Sequence, residues 1–248
     1  AAQDDKGSGR LGQYRLIVFG GGATAEALLQ PVFDLGVPMY NVYGQTETCG
    51  IVTATDAGAS PKIMAETFGR PLPGAEMRIA DAAGKPLPLG TSGEIQVRGP
   101  YCMTGYFGRP EATAEAFTAD GYLRTGDLGV EHPDGNFSFV GRLKEMYKSG
   151  GYNIYPVEIE LALCEHPDIG MAAVLPVPHP VFQEVGHAFI EAAPGRISDT
   201  ELRDFLKSRL ANYKIPKSFS FELELPKLPS MKIDKQALKR RLEAGVAA

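Results

Sequence analysis

The sequence predicts an α/β fold joined to an α+β fold: the end of a parallel α/β subdomain, then an antiparallel β-barrel-like subdomain, then a small α+β carboxy-terminal domain. Three observations predict it. A strand, helix, strand unit lies near the start, a series of short strand-like pieces between Gly/Pro/Asp turns follows it, and after Gly141 helical and strand patterns alternate again. The chain has 248 residues, more than a usual single domain, and its 44% hydrophobic content is enough for real cores. Its 25 Lys and Arg stand against 30 Asp and Glu, a net charge of −5, so no basic excess exists to hold a nucleic-acid backbone. Cys49, Cys102 and Cys164 form no CxxC pair, and His132, His166, His179 and His187 have neither HxH nor HExxH spacing. Neither a disulfide framework nor a transition-metal site is expected, and the thiols suit a reducing cytoplasm. No apolar run approaches the ~18 residues that span a bilayer.

Residues 1–10, "AAQDDKGSGR", are polar and without periodicity, and read as a disordered tail or linker. Next, "YRLIVFGGGATAEALLQPVFDLGVPMYNVYG" gives an apolar run, a glycine cluster, a helix with Leu28, Leu29, Val32 and Phe33 on one side, and a second strand. "AEMRIAD", "GEIQVRG" and "NFSFVGR" are the strands of the β region, separated by turns such as "DAAGKPLPLGTSG" and "HPDG", with one short helix at 110–117 that has Pro in its first turn. Residues 11–142 form the larger part and 143–248 the smaller. The smaller part reads as a helix at 157–164, strands "MAAVLPV" and "HAFIEAA", a helix from Ser198, strand "SFSFELEL" and a helix after Asp234. Ser198 and Glu201 have capping-box spacing, which marks the start of the helix that carries "LRDFLKSRL".

Several segments carry candidate chemistry. Gly20 to Ala25, "GGGATA", formally fits the glycine fingerprint of a dinucleotide site, or is a glycine turn needed for tight strand-to-helix packing. The antiparallel region after it does not complete a dinucleotide fold. "NVYGQTETCG" places an aromatic, a glycine, a hydroxyl and a carboxylate at the end of a strand, where ligands of open parallel sheets bind. Tyr43 suits stacking on a base, Thr46 a phosphate oxygen and Glu47 a magnesium ion, a hard cation that prefers oxygen. Alternatively Thr46 and Glu47 cap a helix.

"YGQTE", "YLRTGDLG", "GRLKEMYKSGGYNIYPVEIE" and "LPKLPSMKIDK" stand in the order and spacing of four signatures of the adenylate-forming enzymes, and from Gly20 onward the chain resembles the carboxy-terminal portion of that superfamily. The resemblance implies a carboxylate:CoA ligase that uses ATP, Mg²⁺ and coenzyme A: a carboxylic acid attacks ATP to give an acyl-adenylate and pyrophosphate, and a thiol then displaces AMP. It also implies that Gly22 and Ala23 line the adenine and acyl pocket, that Asn41, Tyr43, Gly44 and Gln45 belong to the nucleotide site, and that Thr46 and Glu47 serve the α-phosphate and the metal. Asp127 suits ribose, although an Asp after Gly is often only a turn residue, and Arg142 is a fork donor for ribose or phosphate. Lys144 is the hinge position about which the small domain is mobile, and Gly150 and Gly151 border a pantetheine channel, where a β-turn alone would also explain them.

Two departures stand out. The family's Ser/Thr/Gly-rich phosphate loop has no counterpart here, so the expectation is one piece of a longer enzyme, inactive alone, whose partner is the missing amino-terminal portion. Met231 also stands where the family has Gly. The catalytic lysine is expected at Lys232. Lys235 lies in a basic helix with Lys239, Arg240 and Arg241, where a solvated face is the simpler expectation. Gln45 leans toward CoA ligases over enzymes that charge a carrier protein, and a non-catalytic nucleotide-binding remnant is the third reading.

Overall fold

A computed structural model describes residues 12–22, 24–193 and 195–245. The reading of residues 1–10 as a tail, and the place of Ala23, lie outside these. The chain divides into two compact units with the boundary between Lys144 and Glu145.

The first unit opens with the strand, helix, strand arrangement. β1 (Ile17–Gly20) pairs parallel with β2 (Met39–Gln45), and α1 (Glu26–Phe33) connects them. Leu29 is buried on α1 and packs with Met39 and with Met64 of α2 (Pro61–Glu66), while Val32 and Phe33 support it. Leu28 departs from the expected side and is 67% exposed. β3 (Gly50–Ala54) and β4 (Arg70–Pro71) complete this sheet as antiparallel strands.

A second sheet follows, β5 (Glu76–Ala80), β6 (Gly93–Arg98), β7 (Leu123–Glu131) and β8 (Phe137–Arg142), each antiparallel to the next, with α3 (Pro110–Ala116) inserted. The expected barrel-like closure is absent among the described residues: the sheet is an open four-stranded meander whose outer strands do not pair. Ile79, Ile95, Val97 and Phe137 pack from it against Val52 and Phe68. Its other face does not need to close, because long polar chains cover it. Arg78 donates to Gln96 (2.9 Å), Gln96 to Glu94 (3.0 Å), and the Arg78 guanidinium lies 3.8 Å from the centre of the Tyr122 ring.

In the second unit β11 (Met171–His179) and β12 (Gln183–Glu191) form a nine-residue antiparallel ladder. The hairpin of β9 (Tyr147–Ser149) and β10 (Tyr152–Ile154) and the parallel β13 (Ser218–Glu222) also join β12. The two-residue period of the strands separates two cores. Ala172, Val174, Ala188 and Ile190 face α4 (Pro156–Cys164) and α5 (Asp199–Lys207), whereas Ala173 and Phe189 face Leu238 of α6 (Lys235–Glu243). α5 begins with the capping box expected of Ser198 and Glu201, and its Leu202 and Leu206, one turn apart, are both fully buried. Among the described residues no helix is long and apolar enough to cross a membrane.

Candidate functional site

β1 and β2 end side by side, and glycines make the space beyond them. A Cβ at Gly20 would come within 2.3 Å of the Val42 carbonyl oxygen and one at Gly44 within 1.8 Å of that of Gly50, so a side chain at either position would push the strands apart. Gly21 turns the chain at φ 83°. The result is an open cleft of about 590 Å³ bounded by Gly20, Gly21, Gly44, Gln45, Thr46 and Gly50, outside the carboxyl ends of two parallel strands. Gly22 follows directly, and a Cβ there would meet nothing within 4 Å.

Residues Thr46–Thr48 form one 3₁₀ turn. Its N-cap is Gln45, whose N–H donates to the hydroxyl of the fully buried Thr48 (2.9 Å), so of the alternative in which Thr46 and Glu47 cap a helix only Glu47 remains, as the acidic residue of the first turn. Thr46 is left exposed. The Glu47 carbonyl accepts from Met103 N–H (2.7 Å), and its carboxylate accepts from the Tyr106 hydroxyl (2.9 Å), a bond that raises the Tyr106 pKa and keeps that group a donor. Sequence reading missed Thr48 and Tyr106; only a contact between "TET" and "GYFG" could have revealed them. Among the described residues no group of three or more Asp, Glu, His or Cys gathers to hold a metal, so Glu47 offers a single carboxylate.

Asp127 and Arg142 face each other across β7 and β8, with Arg142 Nε 3.1 Å from Asp127 Oδ1. The Tyr43 hydroxyl donates to Asp127 Oδ2 (2.8 Å), while its ring stacks on Phe68 at 4.6 Å between centroids. Burial first, and then the Asp127 charge, holds the Tyr43 pKa far above the phenol range, so this hydroxyl stays protonated. Asp127 is 5% exposed, yet more than half of the Arg142 side chain is open to solvent. Asn41 is turned to architecture: its amide donates to the carbonyls of Met64 (2.8 Å) and Thr67 (2.9 Å), at the end of α2.

In the second unit, Gly150 and Gly151 are the two central residues of the β9–β10 hairpin, at φ 56° and 88°, as a type I′ turn requires. Lys144, the last residue of the first unit, lies in the exposed turn that precedes it in the chain. Lys232 is exposed on a tight hairpin: Leu228 N–H donates to the Lys232 carbonyl (2.8 Å), Met231 N–H to that of Leu228 (2.8 Å), and Met231 holds φ 65°. Lys235 overturns an expectation. Rather than a solvated cation, it is largely buried, with Nζ 2.5 Å from Glu145 Oε2 and 3.0 Å from Glu160 Oε1. The helix face it shares with Leu238 turns inward, which the run of basic residues concealed.

A glycine-walled cleft at parallel strand ends, with the exposed Thr46 at its edge, stands where ligands of open α/β sheets bind. Two family descriptions match this chain, AMP-binding enzyme over residues 1–107 and the AMP-binding enzyme C-terminal domain over residues 158–232. The chain belongs to the AMP-binding, adenylate-forming enzymes. A feruloyl-CoA synthase from Amycolatopsis is 41% identical over 94% of this chain and 48% of its own length. The o-succinylbenzoate CoA synthetase of Bacillus subtilis, solved with its acyl-adenylate intermediate, is 35% identical with a TM-score of 0.81 over 91% of this chain and 46% of its own. The same synthetase with ATP and magnesium ion gives 33% identity and a TM-score of 0.81, over 94% of this chain and 49% of its own. The chain spans about half the length of the curated relatives it matches.

Proposed function

We propose that this chain supplies the carboxy-terminal portion of a carboxylate:CoA ligase that works through an acyl-adenylate. The observation that carries the reading is the cleft at Gly20, Gly44 and Thr46, which offers open backbone and one exposed hydroxyl to a phosphate-bearing ligand, with Asp127 and Arg142 in the same unit. In this reading Gly22, Ala23 and Gln45 lie against adenine and the acyl group. The ring of Tyr43, already stacked on Phe68, offers its other face to the base, and Thr46 donates to the α-phosphate. Asp127 accepts from the ribose hydroxyls, exchanging the Tyr43 or Arg142 bond for them. A magnesium ion would offset phosphate charge, with Glu47 as its one carboxylate and the nucleotide's own oxygens as the rest, a partition usual for that ion. Lys232 supplies an ammonium to the charge that develops at the α-phosphorus. Lys144 is the hinge residue, and Gly150 and Gly151 form a wall that a pantetheine arm passes.

Carboxylate-dependent ATP–pyrophosphate exchange tests this. The chain alone is expected to show none, and the chain completed by the amino-terminal portion of such a ligase is expected to show exchange and to form thioester with free CoA. In the completed protein Lys232→Ala slows adenylation by on the order of 10²–10³-fold, while thioester formation from preformed acyl-adenylate largely survives. Exchange by the chain alone, or a completed protein that charges only a pantetheinylated carrier, would sink the reading.

A further inference from the structure

The lysine three positions after Lys232 is placed against local preference. Lys235 is the first residue of α6, where the helix dipole disfavours a cation, and Asp234 already caps that end by accepting from Ala237 N–H (2.9 Å). Compensation is tertiary. Glu160, on α4, presents Oε1 to Lys235 and to the Val174 N–H (2.8 Å) of β11, and Glu145, the first residue of the second unit, closes the other side. The Lys235 side chain is 26% exposed and that of Glu160 only 15%. Burial tends to neutralise both groups, but the two carboxylates hold the Lys235 pKa above its ordinary value, so the cluster keeps a charged lysine.

The hairpin that carries Lys232 is bounded by this cluster. Its strands meet at a Lys227–Ile233 bridge and an Asp234 N–H to Pro226 carbonyl bond (2.7 Å). At its tip Met231 holds a left-handed conformation that a side chain resists. At one base Lys227 pairs with Glu191 (3.2 Å), and at the other stands Lys235. We propose that Lys235 is a positioning residue: clamped between Glu145 and Glu160, it fixes the strained hairpin that presents Lys232 and ties that hairpin to the residue that follows the Lys144 turn. The functional half of this rests on the reading of Lys232 given above; the structural half does not.

Amide hydrogen exchange on the 248-residue chain tests the clamp without any activity. Lys235→Gln is expected to raise exchange at Leu228, Met231 and Asp234 by ~10-fold or more, with the amides of Ala188 and Ile190 in the β12 core unchanged. Lys235→Arg restores protection. Should Lys235→Gln not fold, Glu145→Gln carries the test, since it leaves Glu160 paired and loosens the same amides. Unchanged hairpin exchange in the folded variant overturns the clamp. In the completed protein Lys235→Gln lowers kcat of adenylation by ~10- to 10²-fold, the scale of a small misplacement of a catalytic group, with the KM for ATP little changed. Combined with Lys232→Ala it adds no further loss, because both act through one ammonium. Independent losses that multiply would overturn the positioning role. Lys232→Ala with full adenylation activity would instead remove the reading of Lys232, and the exchange result would still decide the clamp.

Discussion

Met231 is one of three residues with a side chain that hold positive φ among the described residues, with Cys49 at 53° and Gln183 at 70°. Each borders a candidate segment: Cys49 follows "TET", Gln183 pairs with Ser149 beside the Gly150–Gly151 turn, and Met231 precedes Lys232. Strain retained at such places is what functional sites accumulate. Met231 is 70% exposed, so its side chain contributes little burial to offset the cost of the left-handed region, roughly 1–2 kcal/mol. Glycine removes that cost but gives back ~0.5–1 kcal/mol through the freedom of the unfolded chain. Met231→Gly is therefore expected to stabilise the second unit by roughly 0.5–1 kcal/mol, read as a higher midpoint in urea. A lower midpoint would mean that Met231 makes contacts worth more than its strain.

At the scale of elements, β13 is held to β12 by more than its ladder. His187 of β12 is 5% exposed and sits between two hydroxyls of β13, with Nδ1 2.7 Å from Ser218 Oγ and Nε2 3.0 Å from Ser220 Oγ, while its ring meets the edge of Phe189. Burial lowers its pKa below the ordinary histidine value. The unfolded chain then takes up the proton first as pH falls, so it binds more protons than the fold does. Stability is full above the unfolded pKa of about 6.5 and declines as pH drops from there toward the folded value. The urea midpoint should be lower at about pH 5.5 than at about pH 7.5, and His187→Gln, which keeps an amide for the two hydroxyls, should shrink that difference. An equal difference in the variant would assign the pH dependence to other groups.

For the molecule as a whole, the two units have separate cores. Ile95, Val97 and Phe137 belong to a cluster confined to the first unit, and Leu202, Leu206 and Ile190 to one confined to the second. Leu202→Ala, at a fully buried position, should cost ~2–5 kcal/mol through lost transfer energy and the cavity left behind. Hydrogen exchange should show faster opening at Ile190 and Leu206 but not at Ile95 and Val97. Equal acceleration in both sets would show that the units unfold as one.

How much of this was legible in the sequence follows from the range of the interactions concerned. The β1–α1–β2 unit, strands β5, β6, β8, β11, β12 and β13, helices α3 to α6, the Ser198 cap and the glycine turns were readable, because each depends on residues within about four positions of one another, whereas α2, β3, β4, β7 and the β9–β10 hairpin were not. The four signature segments were readable as a resemblance, and with them the family. What only the tertiary structure decided are the pairings: Tyr43 with Asp127, 84 residues apart; Glu47 with Tyr106, 59 apart; Lys235 with Glu145, 90 apart; and the open edge of the β5–β8 sheet. A local pattern gives a charged residue its sign but not its surroundings. For Lys235 the basic run argued for water, whereas the turn of α6 that buries Leu238 carries Lys235 inward, and there the cost of desolvating a cation requires the two carboxylates that the fold brings to it.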